Sequence, residues 1–486
     1  MIISKTKGKR ILLVHDLCDH NTLDESALEK LSSVLNERDI EVLTATTAFD
    51  AEMMIVADPM IQAILLDWDL AEDSTHKAAK EVLNKLRSRA ENVPVFLFAD
   101  RADVADIPLE VLKETSDFIW LYEDTANFIA GRIEAAIETY LKNLLPPMFK
   151  ALAKFSKVHE YSWHTPGHTG GTAFMKAPAG RAYFEFFGEN LFRSDLSISV
   201  GELGSLLDHS GPIGASEKYA AKVFGAHRTY HVTNGSSTSN RVIFMACVTH
   251  NQVALCDRNC HKSIEQAMTM SGAIPNYMMP LRNYYGIIGP IPPQAMEAEA
   301  IKNTIAANSL ITKDMDAAPV HAIVTNSTYD GLCYNARRVE ELLGQSVDRM
   351  HFDEAWYGYA RFNPIYKDRF AMFGDPADHK ATDMTVFATQ STHKLLAALS
   401  QASFIHIREG KKNVDHSRFN ESFMMQASTS PNYPIIASND ISAAMMDGKG
   451  GKALTDESIR EAVAFRQLMA KLNSDFAYQV EWFFNC

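Results

Sequence analysis

Apolar residues occur in short continuous runs along this chain, with amphipathic stretches between them. Residues 10–15, 40–45, 61–66 and 94–99 read as buried strands, and 26–38, 49–58 and 77–90 carry the spacing of helices. Strand and helix alternating in this way predict a parallel, doubly wound sheet. A further strand is expected at 118–122, and a long helical pattern at 127–158, interrupted by Pro146-Pro147, leads out of this first region. A second large unit begins near Leu196, with strands expected at 230–233, 253–257, 320–326, 349–352 and 384–388. Helices are expected at 216–224 and 240–249, and Leu454 to Asn473 reads as another. The last residues, 481–486, are aromatic and strand-like.

Active sites of open α/β sheets gather at the carboxyl ends of the strands, so the residues that follow each strand carry the functional reading. After 230–233 comes Asn234-Gly235-Ser236-Ser237-Thr238-Ser239-Asn240. Hydroxyls and free backbone N–H groups at a helix start make a phosphate cradle, although a helix start holding no ligand has the same sequence. After 253–257 comes His261, suited either to stacking on an aromatic cofactor or to a structural role. After 349–352 comes Asp353, able to bond a protonated ring nitrogen, and then Trp356. After 384–388 comes Ser391-Thr392-His393-Lys394. Its amine suits an imine with a phosphorylated aldehyde and its hydroxyl and imidazole suit phosphate oxygens; an ordinary surface turn reads alike. Phosphate turn, imidazole, carboxylate and lysine, in that order, are the groups that pyridoxal 5'-phosphate needs. The loop from Trp163 to Gly171 carries His164 and His168 among glycines and a proline, and is either functional or a linker turn.

Composition narrows the classes. With 46% hydrophobic and 22% charged residues the chain is of ordinary globular type, and a net charge of −13 argues against a nucleic-acid surface. No apolar run approaches the ~20 residues that span a bilayer, and residues 11–14 are too short for a signal-peptide core. Six cysteines in 486 residues suggest no disulfide scaffold, hence a reducing cytoplasm. Cys256, Cys260 and His261 lack a second ligand pair at zinc spacing, so no metal is expected.

The first region resembles a response-regulator receiver domain, with Asp16, Asp67 and Asp69 at its strand ends. Two positions depart from that pattern. Phe98-Ala99-Asp100 lacks the receivers' hydroxyl residue, and Glu123 stands where a lysine is expected. Without that cation an acyl phosphate loses a main stabiliser, so a structural lookalike is expected.

The motifs WHTPGH, GSSTSN, DRNCHKS, TNSTYDG, FDEAWYGYARFNPIY and TQSTHKLLAALSQAS resemble those of the prokaryotic ornithine/lysine/arginine decarboxylases of pyridoxal-phosphate fold type I, over essentially the whole chain. FDEAWYGYARFNPIY and SRFNESFMMQASTSP are most similar to the acid-inducible, biodegradative arginine decarboxylases, with the lysine enzymes next.

The resemblance implies a receiver-like (flavodoxin-like) wing domain over 1–130, a linker over 131–195 and an aspartate-aminotransferase-like cofactor domain over 196–450. Residues 451–486 would begin a truncated C-terminal domain. It makes Lys394 the Schiff-base lysine, His261 the stacking ring and Asp353 the partner of the ring nitrogen. Ser236, Ser237, Ser391 and His393 become phosphate contacts, with Thr238 beside them, Trp356 beside the cofactor and His168 near the entrance. It implies decarboxylation of arginine to agmatine, or of lysine or ornithine, with one proton consumed per turnover, as suits acid resistance. It also implies a homodimer that assembles further, a decamer in the family. A non-catalytic subunit that binds cofactor or joins a full-length homologue is the other reading. For the first region, treatment with a small phosphodonor is expected to leave Asp67 and Asp69 unmodified, as read by mass spectrometry.

Overall fold

The computed structural model describes residues 8–16, 22–72, 75–89, 92–98, 104, 107–158 and 164–478. Three sequence features lie outside them: Ala99-Asp100, Trp163 and the aromatic segment 481–486. The chain forms two compact units, Met1–Leu145 with Gly448–Ala453, and Pro146–Asp447 with Leu454–Cys486.

In the first unit five parallel strands, β1 (Lys9–Val14), β2 (Ile40–Ala45), β3 (Ile61–Asp67), β4 (Val95–Phe98) and β5 (Asp117–Ile119), lie in the order β2-β1-β3-β4-β5. Alternate residues face opposite sides. Leu12, Val14, Ile64 and Leu66 meet the helices Ala48–Ala57 and Lys77–Arg89. Ile11, Leu13, Ala63 and Leu65 meet Thr22–Glu37 and Ala126–Leu144. Burial of both faces is why these strands read as unbroken apolar runs. At the carboxyl ends, His15 Nε2 lies 3.9 Å from Asp67 Oδ2 and His76 Nδ1 lies 3.2 Å from Asp69 Oδ1. The fifth strand is shorter than the expected 118–122, because the chain turns at Trp120, which accepts bonds from the Glu123 and Asp124 amides.

The second unit holds a seven-stranded sheet: β6 (Arg228–Val232), β7 (Val253–Asp257), β8 (Ile274–Met278), β9 (Pro319–Thr325), β10 (Arg349–Asp353), β11 (Thr385–Gln390) and β12 (Ser403–Arg408). Their order is β6-β12-β11-β10-β9-β7-β8, and β12 alone runs antiparallel to its neighbours. The carboxyl ends of the other six therefore share one edge. Again both faces are dry. Tyr230, Ala254, Ile323 and Phe387 face one helical layer, and Leu255, Val324, Phe352 and Ala388 face the other.

The pattern of apolar runs does not predict β8 or β12. Ser403-Phe404-Ile405-His406-Ile407-Arg408 alternates polar and apolar residues yet is buried throughout. Its polar side chains are matched internally. His406 bonds Thr229 Oγ1 and Gln390 Oε1, and Arg408 donates to the carbonyls of Gly225, Met372 and Gly374. The pattern at 127–158 is two helices, Ala126–Leu144 and Pro147–Lys157. The final described helix is Gly448–Asp475. Among the described residues no helix is long and apolar enough to cross a membrane.

One buried carboxylate ties the helix Pro147–Lys157 into its unit. Asp440 Oδ2 accepts the amides of Met148 and Phe149 at 2.8 and 2.9 Å, and Oδ1 accepts the Ser216 hydroxyl at 2.5 Å. Pro147 has no N–H, so these are the first free donors of that helix, and Asp440 caps them from a distant helix. Asp440→Ala is expected to lower stability by roughly 2–4 kcal/mol in urea unfolding, with a smaller loss for Asp440→Asn.

Candidate active site

The β-strand register brings the predicted residues to one edge. Asp353 ends β10 at the middle of the sheet, paired with Thr389 of β11 and Thr325 of β9. The turn after β11 becomes a short helix, Thr392–Leu395, with Ser391 at its start. Lys394 on that turn is half-buried, and its Nζ lies 4.6 Å from the centroid of the Trp356 ring. Burial pulls the Lys394 amine below the usual lysine range, and the negative Asp353 partly restores it.

Asp353 is 3% exposed. Its Oδ2 accepts from Asn240 Nδ2 at 2.9 Å, its Oδ1 from the Ala355 amide at 3.2 Å, and no ion pair reaches it among the described residues. Burial pushes its carboxyl above the ordinary range, against those two bonds and the nearby Lys394 charge. A buried carboxylate without a cation is a costly group that a positively charged ligand nitrogen would satisfy.

The turn after β6 is tighter than expected. Gly235, at φ +79°, reverses the chain, and the helix starts at once, as Ser236–Cys247 in place of 240–249. The three small hydroxyl residues are therefore its first turn, where free N–H groups are the rule. No side chain caps this end, and a Cβ added at Gly235 would meet nothing within 4 Å. Open space in front of an uncapped helix start, with hydroxyls beside it, is an anion site in shape and charge. Ser391 Oγ donates to Ser236 Oγ at 2.7 Å, so the turns after β6 and β11 meet here. Ser237 is half-buried. Thr238 is committed elsewhere: its hydroxyl donates to the Asn234 carbonyl and accepts from Arg241 Nη2. His393 Nδ1 bonds the Ala402 carbonyl at 2.7 Å.

His261 caps the helix Lys262–Ser271, its Nδ1 accepting the Ser263 amide at 3.2 Å. His168 stands apart from these groups. It bonds Asp195 Oδ2 and the Gly171 amide and stacks with Phe174, and no hydrogen bond or ring contact joins it to Lys394, Asp353 or His261 among the described residues. Three further residues enter the cluster unforeseen. Asn240 and Ser263 bond each other at 3.0 Å between Asp353 and His261, and Tyr329 meets Trp356 edge to face at 5.7 Å. Asn240 lies one helical turn beyond Ser236, and Ser263 two residues beyond a capping histidine; those spacings are the signal that was available.

The major-domain model of the Orn/Lys/Arg decarboxylase family matches residues 146–485, and the N-terminal-domain model of that family matches 23–140. The chain is 49% identical over 477 residues to the biodegradative arginine decarboxylase of Escherichia coli (strain K12), covering 98% of this chain and 63% of that one. It is 42% identical to a lysine decarboxylase of Pseudomonas aeruginosa, covering 97% and 63%. A solved structure, lysine decarboxylase A from Pseudomonas aeruginosa, superposes with a TM-score of 0.89 at 40% identity, over 99% of this chain and 64% of that one. The chain thus spans about 63% of the length of the curated relatives it matches.

Because folding raises the Asp353 pKa, its contribution to stability is present below the ordinary carboxylate pKa and is lost as pH rises through the folded value. Asp353→Asn is therefore expected to gain stability relative to the cofactor-free wild type as pH rises from 4 to 7.5, measured by urea unfolding at each pH.

Proposed function

The chain belongs to the Orn/Lys/Arg decarboxylase family, and on that premise we propose that it decarboxylates a basic amino acid, arginine by preference, using pyridoxal 5'-phosphate. The observation that carries the reading is Asp353, a dry carboxylate without a cation, one strand away from the half-buried Lys394. Relatives at 49% for arginine and 42% for lysine support the substrate order.

Bound pyridoxal 5'-phosphate supplies an electron sink for the pair left at Cα when CO2 departs. The rest falls to this chain's residues. Lys394 Nζ is the amine that would hold the cofactor through its aldehyde carbon. Its depressed pKa leaves more of it as free amine at neutral pH. Asp353 would hold a proton on the ring nitrogen, the positive partner that this buried carboxylate lacks. Ser236, Ser237 and Ser391, with the open helix start, bind the phosphate, while Thr238 braces the turn through Asn234 and Arg241. His393 adds a phosphate contact, its ring oriented by Ala402. His261 would stack against the ring, and Trp356 shields the Lys394 amine from water on one side. His168 belongs to the approach to the site. A proton returned to Cα replaces CO2, so each turnover consumes one.

We extend the proposal to the cytoplasm and to self-association through a dimer to a larger ring. The helix Pro178–Phe187 supports the latter: it buries none of its residues and exposes Tyr183, Phe186 and Phe187.

CO2 release measured with arginine, lysine and ornithine in parallel tests the reaction. Arginine is expected to be fastest; lysine or ornithine in first place would overturn the substrate order alone. Lys394→Ala is expected to release no CO2 and to lose the visible absorbance of the bound cofactor. Full turnover by that variant would end the proposal.

A further inference from the structure

Between Asp353 and His261 runs an unbroken line of hydrogen bonds whose direction is fixed once Asp353 is ionised. An ionised carboxylate accepts only, so Asn240 must turn its Nδ2 toward Asp353 Oδ2. The second Nδ2 hydrogen goes to Ser263 Oγ at 3.0 Å. Ser263 Oγ, having accepted it, has one hydrogen to give, and its remaining neighbour is His261 Nδ1 at 2.8 Å. The Ser263 amide points at the same nitrogen from 3.2 Å. Facing two donors, Nδ1 carries no proton.

We propose that Asn240 and Ser263 are positioning residues, a relay that commits Asp353 as an anion and His261 as the neutral imidazole protonated at Nε2. One detail of the site supports this direction. Asn240 Oδ1 is buried and has no partner among the described residues. An amide free to choose would turn so as to satisfy it; here the carboxylate forbids the turn, because a flipped amide would set oxygen against oxygen. The relay has one other self-consistent state. With Asp353 protonated, its hydroxyl donates to a flipped Asn240 Oδ1, Ser263 Oγ turns to the same oxygen, and His261 Nδ1 keeps the Ser263 amide as its one donor. A proton at Asp353 and the protonation pattern of His261 are therefore linked through three bonds.

The use of such a relay rests on the decarboxylase reading. A ring nitrogen held protonated by Asp353 makes the cofactor ring a cation, and an imidazolium stacked on it would repel it. The interaction that makes Asp353 the anion also keeps His261 neutral, so the two requirements are met by one set of bonds. A purely structural cap would need only the Ser263 backbone N–H.

The test is nitrogen NMR of the full chain labelled with ¹⁵N-histidine, without cofactor, with the His261 signals assigned by their loss in His261→Gln. The neutral fraction of His261 is expected as the Nε2–H tautomer. Ser263→Ala keeps the backbone cap but loses the hydroxyl, and is expected to populate Nδ1-protonated His261 at pH 6, with Ser263→Thr restoring the wild-type pattern. A second readout is the dissociation constant of pyridoxal 5'-phosphate, followed by absorbance. Asn240→Ala is expected to weaken it about tenfold, the worth of one hydrogen bond to a charged group. If that variant does not fold, Ser263→Ala carries both measurements. His261 found cationic or Nδ1-protonated at pH 7 in the wild type overturns the relay, as does Ser263→Ala with tautomer and cofactor affinity both unchanged. A wild-type chain that binds no pyridoxal 5'-phosphate overturns the decarboxylase reading instead, and the tautomer measurement still decides the relay.

Discussion

A carboxylate taken out of water has to be met by donors, and the carboxyl end of β10 presents two such groups in succession. Asp353 and Glu354 are both buried, and they turn to different partners. Asp353 meets Asn240 and the Ala355 amide. Glu354 meets three donors, Asn326 Nδ2 at 3.1 Å, the Ala371 amide at 2.7 Å and Gln390 Nε2 at 3.0 Å. Burial still pushes Glu354 up to about 7. Asp257, at the end of β7, is pushed up to about 6 by burial, with the nearby Asp353 adding to the shift. Satisfying this acidic edge draws in side chains from the strand ends β9 and β11 and the helix Ser236–Cys247, with the backbone amide of Ala371. The carboxylates thus specify where those elements stop and turn, at a cost in stability that a site for a positive group explains.

The same dependence decides what could be read from the sequence. Parallel strands buried on both faces announce themselves as apolar runs, and the residue after each run is placed on one edge by topology alone. That is why the placement of Asp353, Lys394, Ser236 and His261 along one edge of the sheet was legible in advance: it follows from their position relative to a strand. β12 was not legible, because His406 and Arg408 are buried by partners remote in sequence, Thr229 and Gly225 among them. Asn240 and Ser263 were hidden for the same reason. An asparagine in a helix and a serine after a histidine are common, and each acquires its role only when the turn after β6 comes against the turn after β7.

The differences in detail have physical causes of the same kind. The helix after β6 starts four residues early because Gly235 adopts a positive φ and the serines after it tolerate a first turn with free amides. Thr238 looks identical to its neighbours as a hydroxyl, yet its position on the helix points it at Asn234 and Arg241 rather than at the open end. His168 lies in a loop whose glycines and histidines read as functional, but its ring is spent on Asp195, Gly171 and Phe174.

A gradient of burial runs across the edge of the sheet. Asp353 and Asn240 are dry, Lys394 is half-buried, and His261, Trp356 and Tyr329 are open to solvent, the last two at 37% and 83%. Each level suits a different demand. A fixed charge gains most where water is absent, since competing solvent would weaken its hold on a partner cation. An amine with room around it can move, and a fully packed lysine cannot. Lys394 therefore sits at the boundary, dry enough for its pKa to fall and loose enough to rest its ammonium over Trp356 when nothing else engages it. The outer aromatics then face whatever approaches from solvent. A cationic side chain can exchange water for the faces of Trp356 and Tyr329 there, while the dry floor below stays closed to it.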